Sequence, residues 1–169
     1  MKTIIISAFP ACGKSYAHND ESKEFTSLDS DSSKFSWILD EKGENTGVRD
    51  PAFPANYIEH IKSNIGEVDY IFVSSHTDVR QALEDNNLCY AIVQPSPTLK
   101  EEWIGRCWLR GSPEAFLKML DNNWKEWTCP ALSILDWSPV GRCFLKSGES
   151  IKSKMWFLET LIGNYKEDL

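Results

Sequence analysis

Short runs of apolar, often β-branched residues alternate along the chain with longer segments in which apolar residues recur every three or four positions. The first pattern predicts buried strands and the second predicts amphipathic helices. Strands are predicted over 2–7, 25–29, 69–74, 89–94 and 142–146, with 132–136 as a competing position for the fifth. Helices are predicted from residue 14 onward and over 55–65, 77–86, 98–109, 113–127 and 150–162. Because strands alternate with helices, we expect an α/β fold with a five-stranded, mainly parallel sheet and helices on both faces.

Polar positions set the boundaries of some of these elements. Thr98 and Glu101 have the spacing of a capping box, which predicts that a helix begins at residue 98. Residues 40–51 are polar and contain two glycines, so we expect an exposed loop or hairpin there. The predicted helix over 55–65 places its apolar side chains on one face, which should be buried. These side chains are Tyr57, Ile58, Ile61 and Ile65.

Length and charge narrow the class of protein. The 169 residues fit a single domain over 1–169, with the 25% charged and 41% hydrophobic fractions of an ordinary globular chain. No apolar run reaches the roughly 20 residues of a membrane helix, so we expect no membrane partner. Acidic residues outnumber basic ones by 25 to 18, for a net charge of −7, which disfavours nucleic acids and anionic membranes as partners. The five cysteines form no CxxC pair, and free thiols indicate a reducing, cytoplasmic setting.

The strongest motif is Ala-Phe-Pro-Ala-Cys-Gly-Lys-Ser at 8–15, between the first strand and the first helix, where a phosphate-binding loop must lie. Backbone N–H groups in such a loop form a cradle for an anion. Lys14 should reach the β- and γ-phosphates of a nucleotide, and Ser15 should offer its hydroxyl to Mg²⁺. The alternative is a strand–turn–helix joint that happens to contain Gly-Lys-Ser, and Ala8 stands where the usual pattern has glycine. The expected nucleotide-binding residues are Ala8, Pro10, Ala11, Cys12, Gly13, Lys14, Ser15 and Tyr16.

With these residues the chain resembles P-loop kinases of the nucleoside-monophosphate-kinase and shikimate-kinase type, and more narrowly small nucleotide kinases of phages and bacteria. The resemblance implies a P-loop NTPase three-layer sandwich, with ATP and Mg²⁺ as cofactors. It also implies a small helical lid at about 98–112 and an acceptor-binding region at about 30–66. Its motifs are concentrated at 4–15, 28–35, 74–80 and 106–110.

An Asp-x-Asp motif at 29–31 lies at the end of the second predicted strand. It resembles the motif of shikimate, gluconate and adenylylsulfate kinases, which implies that Asp29 belongs to the Mg²⁺ shell and that Asp31 contacts the acceptor or acts as a base. The alternative is an acidic turn or cap before a helix. The third strand ends without the carboxylate of a Walker B motif, which makes Asp29 more necessary. The expected acceptor-binding residues are Asp29, Asp31, Phe35, Arg49, Ser75, His76 and Arg80.

Arg106 and Arg110 lie four positions apart, so on a helix they share a face. The resemblance implies that they belong to the lid and close over the transferring phosphate, which makes them catalytic together with Lys14 and Asp31. The alternative is a solvated basic face. Three neighbouring apolar residues should form the packing face of this segment: Trp103, Cys107 and Trp108.

Cys12 offers a redox hypothesis, because a thiol among the N–H groups of an anion cradle should have a lowered pKa. The alternative is a small residue that merely fits the loop.

The residues together predict an enzyme that transfers the γ-phosphate of ATP to a small acceptor, best a (deoxy)nucleoside monophosphate. Two other functions stay open. One is a kinase of a hydroxyl group on a non-nucleotide metabolite, which the Asp-x-Asp motif favours. The other is a nucleotide-binding regulatory protein without turnover, made plausible by Ala8 and by the absent Walker B carboxylate.

Overall fold

A computed structural model of the chain describes residues 3–129 and 141–167. Its strands are β1 Ile4–Ala8, β2 Ser27–Asp29, β3 Trp37–Leu39, β4 Asn45–Arg49, β5 Tyr70–Ser74, β6 Tyr90–Pro95 and β7 Arg142–Leu145. Its α-helices are α1 Lys14–His18, α2 Ser33–Ser36, α3 Ala55–Ser63, α4 Thr77–Asp85, α5 Lys100–Leu109, α6 Glu114–Thr128 and α7 Met155–Glu167. One turn of 3₁₀ helix, Ile151–Lys154, leads into α7.

Five strands form one sheet in the order β2-β5-β1-β6-β7, and each neighbouring pair is parallel. Strand β1 is central because all five of its residues, Ile-Ile-Ile-Ser-Ala, are buried on both faces. The prediction of an α/β fold with a five-stranded parallel sheet is therefore confirmed. Since the strands run the same way, the loops that follow them meet at one edge of the sheet, where ligands bind in open α/β folds.

The sheet separates two hydrophobic cores, because successive side chains of each strand point to opposite faces. Ile4 and Ile6 face one core and Ile5 faces the other. The first core is covered by α1, α5, α6 and α7, through Ala17, Trp103, Cys107, Leu120, Trp124, Leu158 and Ile162. The second is covered by α3 and α4, through Tyr57, Ile58, Ile61, Val79, Ala82 and Leu83. Helices on both faces thus agree with the sequence pattern.

The structure differs from the sequence pattern at a few boundaries. Strands β3 and β4 form an antiparallel hairpin, which extends the loop or hairpin expected over 40–51. Ile65 is 41% exposed because α3 ends at Ser63, before its next turn could bury that side chain. The prediction of a capping box at Thr98 is wrong, since α5 begins at Lys100 and the Thr98 hydroxyl contacts the Ser96 hydroxyl instead.

The competing fifth strand over 132–136 lies outside the described residues. Within 3–129 and 141–167, no helix combines the length and apolar content that a membrane crossing requires.

Candidate functional site

The loop between β1 and α1 turns sharply through two residues with left-handed backbone, Ala11 at φ 60° and Gly13 at φ 92°. Gly13 is the residue before α1, which begins at Lys14 as the sequence predicts. In the part of the chain that the structure describes, the backbone N–H groups of Gly13, Lys14 and Ser15 donate no hydrogen bond. These amides are therefore free to bind an anion.

Groups outside the loop hold its backbone from the side of the first core. The Phe9 amide donates to the Val93 carbonyl of β6 at 2.9 Å. The Cys12 carbonyl accepts a hydrogen bond of 2.9 Å from the Ile151 amide, at the start of the 3₁₀ turn. Gly13 lies so close to this turn that a Cβ atom on it would stand 3.1 Å from the Cβ of Ser150. The segment after β7 therefore packs directly on the candidate phosphate loop.

The Lys14 ammonium points back toward the end of β1 and donates to the Ala8 carbonyl at 2.9 Å. Burial lowers the pKa of Lys14, and the carboxylates of Asp29 and Asp31 oppose this shift. The structure thus brings the two aspartates and the lysine into electrostatic range of one another. A half-buried cation beside free amides is suited to a polyanionic ligand.

Asp29 is the last residue of β2 and reaches the first turn of α1. Its Oδ2 accepts a hydrogen bond of 2.5 Å from the Ser15 hydroxyl, so the two predicted metal-site residues are in contact. Mg²⁺ in nucleotide sites keeps several waters and phosphate oxygens and takes only one or two protein ligands. The pair fits that role, and the described residues contain no group of three or more metal-ligating side chains.

Asp31 is exposed, and its Oδ1 accepts a hydrogen bond from the Ser33 amide at 2.9 Å. This oxygen makes the turn contact that the alternative interpretation of the motif predicts. No described residue donates to Oδ2 of Asp31. One carboxylate oxygen of this exposed side chain is therefore left without a donor among the described residues.

Arg49, the last residue of the hairpin, contacts three other side chains. Its guanidinium lies 5.0 Å from the ring centre of Trp37 and 5.2 Å from that of Phe53, and it pairs with Asp78 at 3.6 Å. The ring of Phe35 packs on two rings of α3, with its centre 5.1 Å from that of Tyr57 and 4.7 Å from that of His60.

His76 precedes α4, beside Ser75 at the end of β5. Desolvation lowers the pKa of His76, the Asp78 carboxylate opposes this shift, and the charges of Arg49 and Lys14 add to it. Arg80 lies in the first turn of α4, and no described residue accepts a hydrogen bond from its buried Nε. The structure shows no contact between Arg80 and either aspartate of the motif.

Arg106 in α5 and Arg110, the residue after this helix, occupy different surroundings. Arg106 donates to Glu102 at 2.6 Å and to the Glu149 carbonyl at 2.8 Å, and it lies 4.0 Å from the ring centre of Trp103. Arg110 is exposed, donates from Nε to the Ser112 hydroxyl at 2.9 Å, and lowers the pKa of Lys14. Arg110 is therefore the freer cation near the phosphate loop, whereas Arg106 joins α5 to residues 146–150.

Helix α5 is packed on the first core through Trp103 and Cys107, which confirms these two as packing residues. Trp108 is 66% exposed, so its assignment to the packing face is wrong. It lies near the end of the helix, on the side away from the core. The lid movement implied by the family resemblance stays a prediction.

Two hydrogen bonds of the site could not be predicted from the sequence pattern. The Tyr57 hydroxyl, on the buried face of α3, donates to the Ser30 carbonyl at 2.6 Å and so fixes the turn between the two aspartates. The indole N–H of Trp103 donates to the Pro10 carbonyl inside the phosphate loop at 3.0 Å. Both side chains occupy apolar helix positions, and periodicity shows only that such residues are buried, not where their polar atoms point.

Cys12 is fully buried, and burial raises the pKa of its thiol to about 12. The expectation of a lowered pKa is wrong, because the side chain faces the core and its Sγ lies 3.7 Å from the Val93 carbonyl. Cys12 thus fits the alternative of a small residue that packs beneath the loop.

Comparison of the chain with protein-family models, with curated proteins and with solved structures finds no match. The P-loop kinase assignment therefore stays a prediction, carried by the motif residues and by the geometry described above.

Proposed function

We propose that the chain is a phosphotransferase that moves the γ-phosphate of ATP to a (deoxy)nucleoside monophosphate. One observation carries the proposal: the unbonded amides of the Gly-Lys-Ser loop adjoin the Ser15–Asp29 pair at the carboxyl edge of a parallel sheet. Phosphoryl transfer requires little covalent chemistry from a protein, and it depends on positioning and charge neutralisation. Amides, an ammonium and a metal-binding pair in one place serve those requirements.

The donor phosphates would lie on the amides of Gly13 to Ser15. Lys14 would exchange its bond to the Ala8 carbonyl for the phosphate oxygens, which favour its charged form. Ser15 and Asp29 would hold Mg²⁺, which when bound neutralises charge on the phosphates. Arg110 would reach the transferring phosphate, since it is exposed and within electrostatic range of Lys14.

A hydroxyl acceptor is the second candidate, and the open oxygen of Asp31 favours it. A nucleoside monophosphate attacks through a phosphate oxygen that carries no proton to remove, whereas an alcohol needs a base. Asp31 follows β2 two residues after Asp29 of the proposed metal-binding pair, where such a base would act. The ion pair between Arg49 and Asp78 also leaves that arginine less free to bind an acceptor phosphate.

An acceptor panel separates these functions. The protein is incubated with γ-labelled ATP, Mg²⁺ and each (deoxy)nucleoside monophosphate or polyol in turn, and labelled products are resolved by chromatography. Label on a nucleoside diphosphate supports the first proposal, and label on an alcohol supports the second. The Asp31→Asn variant should retain most of the first activity but lose about 10²- to 10⁴-fold of the second. ATP binding with no product from any acceptor would contradict both and support a regulatory protein.

A further inference from the structure

Three alternate carbonyl groups of the phosphate loop are each held by a donor. The Ala8 carbonyl accepts from Lys14, the Pro10 carbonyl from the Trp103 indole, and the Cys12 carbonyl from the Ile151 amide. A carbonyl oxygen that faced the ligand would repel phosphate, so an anion cradle needs its carbonyls turned outward and its N–H groups inward. These donors occupy three carbonyl oxygens that could otherwise face the ligand.

From this geometry we infer that Trp103 is a positioning residue for phosphate binding, acting through its bond to the Pro10 carbonyl. The inference rests on the proposed nucleotide-binding function. Trp103 differs from the other two donors because its side chain lies outside the loop and is not expected to contact the ligand. The Lys14 donor is itself expected to bind phosphate, and the Ile151 donor is backbone, which no side-chain substitution removes.

The surroundings of Trp103 suit a positioning role. Its side chain is fully buried, so the N–H that donates the 3.0 Å hydrogen bond to Pro10 is shielded from water. Its ring packs in the first core together with Phe9 and Ala11, which belong to the loop. The opposite end of the loop is already fixed by contacts of Cys12 and Gly13 with residues 150–151. Without the indole N–H, no described donor holds the Pro10 carbonyl, which can then rotate toward the ligand.

The same ring also supports Arg106, which stacks on it and bonds to the Glu149 carbonyl. Loss of the indole could therefore weaken nucleotide binding by either of two routes, through the loop or through residues 146–150. 3-Benzothienylalanine at position 103 separates them, because it keeps a bicyclic ring beneath Arg106 and removes only the N–H that bonds to Pro10.

The chain offers a matched control in Trp124. This tryptophan is 5% exposed, lies in the same core, and packs edge to face on Phe9 with ring centres 6.0 Å apart. Its indole N–H, however, donates to the Pro97 carbonyl at 2.7 Å, outside the phosphate loop. Trp103→Phe and Trp124→Phe thus remove the same kind of hydrogen bond and a similar volume. Their melting temperatures should fall by similar amounts, while their effects on binding should differ.

The test measures dissociation constants of Mg·ATP and of Mg·tripolyphosphate by calorimetry for the full chain and both variants. We expect Trp103→Phe to weaken both ligands by about 3- to 10-fold, the effect of one lost hydrogen bond, and Trp124→Phe to leave both unchanged. Equal effects of the two variants would overturn the inference, as would a loss confined to ATP, because the phosphate cradle would then be intact. If the unmodified chain binds neither ligand, the proposed function fails and this inference fails with it.

A second substitution keeps the test valid if Trp103→Phe does not fold. Replacement of Trp103 by 3-benzothienylalanine retains the bicyclic shape and removes only the N–H donor. The same 3- to 10-fold loss, about the worth of one hydrogen bond, is expected for both ligands. Unchanged affinity would overturn the inference, because packing would then be the whole contribution of this side chain.

Discussion

A methyl group at Gly13 should disturb the protein in two ways that can be measured separately. The residue has φ 92°, in the left-handed region that side chains disfavour, and a Cβ there would lie 3.1 Å from the Cβ of Ser150. Ser150 cannot move freely, since it begins the 3₁₀ turn with a capping box to Ser153. The Gly13→Ala variant therefore combines backbone strain with a close contact against a fixed neighbour.

The two contributions can be estimated. Left-handed backbone costs alanine about 1–2 kcal/mol, and the reduced freedom of the unfolded chain offsets about 0.4–1 kcal/mol of this. Overpacking against Ser150 adds about 1–3 kcal/mol. The free energy of unfolding should thus fall by about 1–5 kcal/mol, which for a chain of this size lowers the melting temperature by about 3–15 °C.

Gly111 provides the control, because it has φ 81° and no atom within 4 Å of an added Cβ. Gly111→Ala carries the strain without the contact, so its melting temperature should fall by only about 1–4 °C. Calorimetric melting of the two variants and the unmodified chain measures the difference. Equal shifts for Gly13→Ala and Gly111→Ala would refute the close packing of the loop on residues 150–151.

Three further predictions follow from the site. Iodoacetamide at about pH 8 should leave Cys12 unmodified in the native protein, because its thiol is buried with a pKa raised to about 12; early labelling in peptide mass spectra would contradict this. Arg110→Gln should slow phosphoryl transfer by about 10²- to 10³-fold with an unchanged melting temperature, whereas Arg106→Gln should lower the melting temperature. Equal losses of transfer rate in the two variants would refute the assignment of different roles to these arginines. Burial raises the pKa of Tyr57 from 10.0 to about 12, so its contribution to stability is present below pH 10 and is lost as the pH rises toward 12. In alkaline unfolding followed by circular dichroism, Tyr57→Phe should remove the part of the stability loss that Tyr57 causes between pH 10 and pH 12. Identical pH profiles of the variant and the unmodified chain would contradict this prediction.

Much of the fold could be predicted because buried parallel strands have a strong local signature. The residues Ile-Ile-Ile of β1 and Ile-Phe-Val of β5 are apolar on both faces, a pattern that leaves few alternatives to a central strand. The contact between Ser15 and Asp29 could also be anticipated, since both follow strands of one parallel sheet and so meet at the same edge.

Other features depend on three-dimensional contacts that no local pattern encodes. Cys12 lies in a segment that suggests an electropositive thiol, yet its side chain turns into the core, where desolvation outweighs the nearby charges. Arg106 and Arg110 share a predicted helix face, but Glu102 and residues 146–150 engage only the first of them. The acceptor likewise depends on side chains from several loops, whose arrangement the sequence does not specify.

Binding and transfer by the Lys14→Ala variant test the central claim most directly. Lys118→Ala is the matched control, since this exposed lysine lies on α6 and pairs only with Glu114 in the described residues. Binding of Mg·ATP is measured by calorimetry, and transfer of the γ-phosphate to the best acceptor is followed by ³¹P NMR. We predict that Lys14→Ala folds normally and loses about 10²- to 10³-fold in transfer rate, while Lys118→Ala matches the unmodified chain. Full activity in Lys14→Ala, or no ATP binding by the unmodified chain, would contradict a phosphate-binding role for this loop.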